Sequence, residues 1–581
     1  MSDQIEMNTS LKPVAFWQLH KNPILLRYMR SRLRWGGISA ALILTLVVTI
    51  FTFLVSYNGA VRYSFESSLN AYRAAFLPVF MIQVVLMMFM GTGAVASGIT
   101  QEYEDGMVEY QRLTPMSPLA KILGYLFGLP IREWFLFFVS SIFIGIIVVK
   151  GKVPMESVFK VYSVFFLSII LYHLMALVVV HSMKKKRVAG RVIQLLVVVL
   201  YFVFPLLSQF GLVFFEYLTV RPILKENILE YIPKGMNMRK LLDLDGSQST
   251  VAFFDYQLKA WSFSMILMTS LTVSFLFMLN RRWKEVTSHL MSKFFAILFL
   301  GFFMLFLVGN TLPIAKKGEM SITESFVEMR ERSLLDDIER YKVGDNKRIF
   351  LEKRLAEYRE KTARTQNSFD APIAQAVFGG VCVLFACLII YIITPRHEKY
   401  LLGLRRAKNL NKRWIPSYWD EASGFWTTIV VLWILALTLF TFSTTLYVAP
   451  TITGRLRELV MFIPVVCLFA LVTVFVFYLV LEAWENKGLF LLLLFIWVLP
   501  IMIAMVIAVQ SNNWTTIVWV SSVSPLAAYG FGVSDIEVLP LRSAFFFSFT
   551  LQVAIGCIAA MALIGKKREG KKMLLENPIN D

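Results

Sequence analysis

The residues with the most chemical character lie in an acidic segment, 99–118, between two strongly apolar stretches. Its sequence is ITQEYEDGMVEYQRLTPMSP. Carboxylates near a helix N-terminus interact favourably with the helix dipole. The Thr114-Pro115 step is expected to end one helix and to let another begin. The apolar side chains Met107, Val108 and Leu113 suit insertion into the groove of a partner protein. The segment therefore predicts a contact surface for a partner.

Signatures of enzymatic catalysis are absent from the sequence. Gly151-Lys152 and Gly565-Lys566 lack the spacing and the Ser or Thr of a phosphate-binding loop. There is also no H-E-x-x-H motif, no G-x-S-x-G motif and no cluster of cysteine and histidine. We therefore expect no enzyme activity, no ATPase site, no cofactor and no metal in this chain.

The composition indicates whether this segment belongs to a soluble protein or to a membrane protein. Of 581 residues, 57% are hydrophobic and only 17% are charged, and the mean hydropathy is +0.63. A soluble protein of this size does not need so much apolar surface, so the chain is expected to be an all-α polytopic membrane protein.

Runs of about 20 apolar residues can cross the hydrocarbon core as helices. The sequence predicts about twelve such runs, at 37–56, 76–98, 133–149, 161–181, 192–215, 260–280, 294–313, 373–394, 425–447, 459–481, 489–510 and 543–564. With twelve spans, the clusters of Lys and Arg all fall on one side, which predicts that this side is the cytoplasm and holds both termini. The net charge of +19 is then topological, and we expect no nucleic-acid partner.

Four regions follow from this topology. They are a cytoplasmic N-terminal segment at 1–36, a first six-span half at 37–285, a second six-span half at 286–565 and a basic cytoplasmic tail at 566–581. Residues 16–35 predict an amphipathic helix in the membrane interface. Short re-entrant or interfacial helices are expected in the outer loop 217–258. The insertion 315–372 predicts an extracytoplasmic helical hairpin, at 325–341 and 348–362, and offers a surface for an extracytoplasmic partner.

The two halves resemble each other in sequence. Four matches recur at offsets of 294, 292, 295 and 292 residues, pairing Ile99-Thr100 with Ile393-Thr394, Trp134 with Trp426, Phe204-Pro205 with Leu499-Pro500, and Ile232-Pro233 with Ser524-Pro525. Because the register hardly changes, the matches predict a parallel duplication of a six-helix bundle.

Small residues crowd the end of the second predicted span. Gly91, Gly93, Ser97 and Gly98 fall within one run. Small side chains let helix backbones approach closely in lipid, so we predict helix packing there.

The acidic segment and the residues before the first span together resemble a known family. Asn22-Pro23 with Arg27, Arg30 and Arg32 precedes the first span; after the second come Glu102, Glu104, Gly106, Met107, Glu109, Leu113, Thr114-Pro115-Met116-Ser117 and Gly124. This order is similar to that of the permease subunits of type-2 ATP-binding-cassette exporters, with Met107 at the usual Thr position and Met116 at the usual Leu position. The match covers roughly residues 16–135, and the six-span topology extends it to about 281.

The resemblance implies a function for the acidic segment. In that family the segment is a cytoplasmic coupling helix that docks on a separate ATPase subunit. The expected protein is thus a permease of an exporter in a bacterial plasma (inner) membrane. The second half keeps Glu398 but is basic there and lacks the Thr-Pro-x-Ser step, so we expect the two halves to couple unequally.

Two other classes of protein remain open. One is a twelve-span secondary transporter, although ionisable residues deep in the predicted spans are scarce. The other is a membrane-embedded glycosyl- or lipid-modifying enzyme, for which Asp243, Asp245 and Asp255 supply candidate carboxylates.

Overall fold

The computed structural model describes most of the chain. The described residues are 18–62, 68–183, 186–203, 207–208, 211–232, 250–285, 288–317, 338, 346–395, 397–409, 422–447, 454–510, 514–533 and 539–576. They divide into two compact units. The first comprises Met1–Pro205, Phe215–Val251 and Leu258–Leu290, and the second comprises Leu206–Phe214, Ala252–Gln257 and Met291–Asp581.

Helices dominate the first unit. In chain order they are α1 (Pro23–Arg32), α2 (Trp35–Arg62), α3 (Ser68–Ala74), α4 (Phe76–Val84), α5 (Thr92–Glu104), α6 (Met107–Leu113), α7 (Pro118–Gly128), α8 (Ile131–Lys150), α9 (Met155–Ser182), α10 (Lys186–Val198), α11 (Arg221–Glu226), α12 (Ile228–Tyr231) and α13 (Ala260–Lys284). Two π-helical stretches, Val85–Gly91 and Val199–Val203, continue α4 and α10. A short hairpin of β1 (Thr250–Phe253) and β2 (Tyr256–Lys259) precedes α13, and its residues Ala252–Gln257 belong to the second unit.

The second unit is also built of helices over its described residues. They are α14 (Lys293–Lys317), α15 (Asn346–Ile393), α16 (His397–Asn409), α17 (Phe425–Tyr447), α18 (Gly454–Leu491), α19 (Leu499–Gln510), α20 (Trp514–Ser521), α21 (Pro525–Val533) and α22 (Leu539–Glu576). The π-helical stretch Leu492–Val498 joins α18 to α19.

Ten helices of the described residues are long and apolar enough to cross a membrane. They are Trp35–Arg62, Ser68–Glu104, Ile131–Lys150, Met155–Ser182, Ala260–Lys284, Lys293–Pro313, Ala374–Ile393, Phe425–Leu446, Phe462–Ala508 and Pro540–Lys572. Apolar side chains such as Ile43, Leu44 and Phe51 are exposed on the first of them, as expected where lipid is the solvent. The chain is therefore an all-α polytopic membrane protein.

The count of ten differs from the predicted twelve at two places. Of the predicted span 192–215, the described part includes the apolar helix Gly190–Val203, and residues 204–206 and 209–210 lie outside the described residues. The predicted spans 459–481 and 489–510 lie on the one continuous stretch Phe462–Ala508. Within it Glu485 has φ 54° and ψ −148°, which is not a helical conformation. This break lies between the two predicted spans, so Phe462–Ala508 comprises two helices that meet at Glu485. The twelve-span count stays a prediction.

The loop regions agree with the sequence in part. Short helices, α11 and α12, occur in the predicted outer loop, whereas the β-hairpin there was not expected. Asp255 is exposed in the turn of that hairpin, and Asp243 and Asp245 lie outside the described residues. In the insertion, 348–362 belongs to the long helix α15, and Ile338 packs with Leu355 and Leu351. The rest of the predicted helix 325–341 lies outside the described residues.

Buried amides connect helices in both units. In the first unit, the Gln83 side-chain amide donates to the hydroxyls of Ser140 (3.2 Å) and Ser141 (3.0 Å) and accepts from Tyr162 (2.5 Å). In the second unit, the Gln375 amide donates to Ser443 (2.5 Å) and to Tyr529 (3.2 Å). Polar groups inside apolar spans must find partners within the protein, so each glutamine fixes the helices around it.

Candidate functional site

The acidic segment folds as a short helix between two sharp turns. The helix α5 ends at Glu104, and α6 begins after Gly106, which has φ +70°. A side chain at this φ is strained, so glycine suits the turn. The helix α6 is only seven residues long, Met107–Leu113, and is therefore too short to be stable without its neighbours.

The second turn is built by Thr114, Pro115 and Ser117. The Thr114 hydroxyl donates to the carbonyl of Gln111 (2.6 Å), and the amide of Met116 donates to the carbonyl of Thr114 (2.7 Å). The Ser117 hydroxyl then accepts from the amide of Ala120 (3.2 Å), which caps α7, and Pro118 occupies the first helical position. The expected stop and restart are both present, with the restart at Ser117.

A lysine fastens this turn to the start of α7. The buried Lys121 ammonium donates to the carbonyls of Arg112 (3.2 Å) and Thr114 (3.1 Å). It also lies 5.8 Å from the ring centre of Trp283, as does the Arg112 guanidinium. Burial, and then the nearby Arg112, lower the pKa of Lys121. The C-terminal end of α6 is thus held against α7 and the end of α13.

Glu102, at the end of α5, is the centre of a second and more enclosed cluster. The Arg27 guanidinium pairs with its carboxylate, and the Tyr28 hydroxyl donates to the same oxygen at 2.5 Å. The Tyr125 hydroxyl donates to the other oxygen at 3.2 Å. The side chain of Glu102 is only 12% exposed, so these are charge-assisted hydrogen bonds shielded from water. The cluster joins α5 to α1 and α7.

Close packing of α1 on α7 makes this cluster possible. The side-chain Oδ1 of Asn22 caps α1 by accepting from the backbone amides of Ile24 (3.0 Å) and Leu25 (3.4 Å), while its side-chain Nδ2 donates to the carbonyl of Ala120 (2.7 Å). A Cβ at Gly124 would lie 2.7 Å from the Asn22 oxygen, and one at Gly128 would lie 2.9 Å from the Tyr28 ring. Both glycines are therefore needed for the two helices to approach this closely.

The tyrosines of the cluster remain protonated. Burial, and then the hydrogen bond to Glu102, raise the pKa of Tyr28 well above its ordinary value. Burial and the charge of Glu102 do the same to the pKa of Tyr125. Both hydroxyls therefore stay hydrogen-bond donors to the carboxylate across the physiological pH range.

The outer surface of α6 is exposed. Leu113 is 84% exposed and Tyr110 is 62% exposed. Glu104 and Glu109 are also exposed, and Glu109 pairs with Arg112 at 2.5 Å. Val108, which the sequence offered as a residue for a partner's groove, is fully buried in its own chain. An exposed face is therefore formed by Tyr110 and Leu113, with Met107 half-buried and Pro115 exposed nearby.

The small residues of the second span fall into two groups. A Cβ at Gly91 would lie 2.9 Å from the His173 ring, and one at Gly98 would lie 2.4 Å from Leu129. Gly93 and Ser97, which the prediction grouped with them, instead line a cavity of about 750 Å³. The structure thus separates two glycines in tight helix contacts from two residues that border an open space.

The second unit has no comparable turn at its acidic position within the described residues. Glu398 is exposed near the start of α16. Its neighbour Tyr400 lies under the Lys567 ammonium, which also pairs with Glu482 at 2.7 Å. Burial, and then the charge of Lys566, lower the pKa of His397 below its ordinary value of 6.5. The helix α16 is thus held by basic residues at the end of α22.

Several residues of these clusters were not among the site residues predicted from the sequence. They are Tyr28, Tyr125, Lys121 and Trp283 in the first unit, and Lys567 and Glu482 in the second. Trp283 could have been noticed because it follows Arg281-Arg282 at the end of a predicted span. Nothing in the sequence indicated that it would lie beside Arg112 and Lys121. The described residues contain no group of three or more metal-binding side chains.

Comparison with known proteins does not assign the chain to a family. It matches no protein-family model, no curated protein and no solved structure. Its function is therefore argued from its own residues.

Proposed function

We propose that the chain is the membrane-spanning permease of an ATP-binding-cassette transporter, and that it is an exporter driven by a separate ATPase subunit. In this proposal α6 is the coupling helix, and its exposed face around Tyr110 and Leu113 docks on the ATPase. The resemblance of residues 16–135 to type-2 permeases supports this choice of family and of the direction of transport.

One observation carries the proposal. The short helix α6 is exposed on its outer face, yet Lys121 holds its C-terminal end against α7. The preceding helix α5 is held to α1 and α7 through Glu102. A partner that pushes on α6 would therefore move α1, α5 and α7 together rather than bend a loose loop. Such a rigid connection is what coupling between an ATPase and membrane spans needs.

The proposal includes twelve spans arranged as two repeated six-helix halves. Three features of the structure support the repeat. The π-helical stretch Val199–Val203 precedes Phe204-Pro205, and Leu492–Val498 precedes Leu499-Pro500. The buried Gln83 and Gln375 are 292 residues apart, which is one of the offsets in the sequence. Finally, α5 packs on α9 and α9 on α13 in the first unit, as α15 packs on α18 and α18 on α22 in the second.

The location of the chain follows from the same proposal. Its termini and α6 lie in the cytoplasm, the membrane is the bacterial plasma membrane, and the insertion 315–372 lies outside, where it can meet a partner. Because α16 is basic and has no Thr-Pro turn, the ATPase is expected to act mainly through the first half.

The experiment uses exposed tyrosines, because changing them leaves the buried packing intact. The ATPase is the one whose gene adjoins that of this chain, and the proposal expects it to carry a phosphate-binding loop. We expect Tyr110→Asp to abolish co-purification of the ATPase and its stimulated ATP turnover. The matched control is Tyr256→Asp, in the β-hairpin, where the tyrosine is 73% exposed.

Two results would overturn the assignment. One is a Tyr110→Asp variant that retains association and turnover like the control. The other is a double variant, Glu102→Lys with Glu104→Lys, that also leaves both unchanged, because the first of these carboxylates fixes α5 to α1 and α7.

A further inference from the structure

A cavity of about 750 Å³ lies in the first unit, beside the end of the second span. Its wall comes from the end of α1, the start of α2, the π-helical stretch Val85–Gly91 with α5, the start of α8 and α10. This volume is typical of a site for a small molecule. The cavity opens at the surface of the chain, since the lining residues Met90 and Val198 are 44% and 41% exposed.

One end of the cavity is polar and carries a net positive charge. Arg32 and Arg132 line it together with Glu133, and Arg132 donates to one Glu133 oxygen at 2.8 Å. Arg32 donates to the carbonyl of Leu129 at 2.5 Å and lies 5.4 Å from the ring centre of Tyr28, and it has no carboxylate partner among the described residues. Two cations against one carboxylate leave one positive charge for a ligand, and guanidinium groups suit phosphate and carboxylate oxygens.

Two polar atoms of the lining residues have no partner. Thr92 is 1% exposed and Glu133 is fully buried, yet the Thr92 hydroxyl and one Glu133 oxygen make no hydrogen bond within the described residues. Buried polar atoms are normally hydrogen-bonded. The Thr92 hydroxyl can donate to an oxygen of a ligand, and the Glu133 oxygen can accept from a protonated group such as a phosphate hydroxyl.

The other end of the cavity is apolar. Phe89 and Met90 line it from the second span, and Val197 and Val198 line it from α10. At 1.5 Å per residue, Phe89 is roughly 12 Å along the helix from Ser97 at the polar end. Polar and apolar ends thus follow one another along the direction of the span, as the headgroup and chains of a lipid do in one leaflet.

We propose that this cavity binds an amphiphile with an anionic phosphate headgroup and an acyl tail, and that the phosphate faces Arg32 and Arg132. Gly93 makes room for it. A Cβ there would meet only the Gln194 side chain, at 3.5 Å, so a larger side chain at this position would occupy the cavity without displacing backbone. That this amphiphile is also the exported molecule rests on the proposed function.

The test measures binding to the full chain in phosphatidylcholine nanodiscs, without any ATPase. Three probes are compared. Phosphatidic acid has both the phosphate headgroup and the acyl tails. Diacylglycerol has only the tails, and glycerol 3-phosphate has only the headgroup. We expect saturable binding of phosphatidic acid at one site, with at least about tenfold weaker binding of each of the other two, since a charge-assisted bond contributes about that factor.

Substitutions identify the site. Gly93→Leu should weaken the binding of phosphatidic acid about tenfold or more. Gly145→Leu is the matched control, because Gly145 is also in a membrane helix and has nothing within 4 Å of its Cβ position. Arg32→Gln should remove the preference for phosphatidic acid over diacylglycerol while leaving the binding of diacylglycerol unchanged.

The possible results separate this inference from the proposed function. Equal binding of phosphatidic acid and diacylglycerol by the unmodified chain, binding of glycerol 3-phosphate as tight as that of phosphatidic acid, or unchanged binding in Gly93→Leu would each overturn the site. If binding is as expected but no ATPase associates with the chain, the lipid site stands and the proposed function fails.

Discussion

Replacing Glu102 with glutamine tests how firmly the coupling segment is attached to the membrane domain. The carboxylate accepts from Arg27, Tyr28 and Tyr125 in a position that is largely shielded from water. Hydrogen bonds to charged groups contribute about 1.5–3 kcal/mol and neutral ones about 0.5–1.5 kcal/mol. Glutamine keeps the shape and an acceptor oxygen but turns its amide towards a hydroxyl. We therefore expect the contact of α1 with α5 to weaken by about 1–2 kcal/mol.

Hydrogen exchange in lipid nanodiscs measures this loss directly. A loss of 1–2 kcal/mol corresponds to an increase of about 5- to 30-fold in the population of the opened state. The backbone amides of α1 from Leu26 onward, which are bonded within the helix, should exchange faster by this factor. Exchange in α9 should not change.

The chain contains a matched control for this substitution. Glu109 pairs with Arg112 in the same segment, but its side chain is 61% exposed. Exposed pairs of this kind contribute about 0.3–0.5 kcal/mol. Glu109→Gln should therefore raise the exchange rate of the backbone amides of α1 by no more than about twofold. If Glu102→Gln has no larger effect than this control, the enclosed cluster does not hold α1 and the reasoning is refuted.

Three further predictions concern other parts of the chain. Gly106→Ala places a side chain at φ +70° and should destabilise α6 by about 1–2 kcal/mol, seen as faster exchange there; an equal effect of Gly145→Ala would contradict this. Burial and Lys566 hold the pKa of His397 below 6.5, so His397 binds a proton more readily when α16 has opened than when it is packed. The contribution of neutral His397 to the free energy of unfolding is therefore fully present above pH 6.5 and should fall as the pH drops below 6.5. Thermal unfolding of His397→Gln should lack this dependence, and a dependence equal to that of the unmodified chain would contradict the assignment. A topology reporter fused at Asp345 should report an extracytoplasmic position, whereas a cytoplasmic signal would contradict the twelve-span arrangement.

The sequence was most informative where local chemistry decides the structure. The Thr114-Pro115 step ended α6 and Ser117 capped α7, because capping and the missing proline amide act within a few residues. Membrane helices were also predicted from composition, since apolar runs of sufficient length have few alternatives in lipid. The break at Glu485 falls between the predicted spans 459–481 and 489–510, because polar residues there interrupt the apolar run.

The sequence pattern could not predict contacts between residues that are far apart in the chain. Glu102 was chosen for its position in a motif, but its partners Arg27 and Tyr28 are 75 and 74 residues away in sequence. Val108 was assigned to a partner because it is apolar, and only the packing shows that its own chain covers it. The cavity beside Gly93 likewise depends on five α-helices whose arrangement no single segment encodes.

Site-specific crosslinking tests the central claim most directly. A photoreactive amino acid in place of Leu113, which is 84% exposed on α6, is introduced into the full chain in cells that contain the neighbouring ATPase. The same residue in place of Tyr256 is the control. If α6 is the coupling helix, illumination should join the chain to the ATPase from position 113 and not from position 256. Absence of the ATPase from the product at position 113, or equal crosslinking from both positions, would contradict the proposed function.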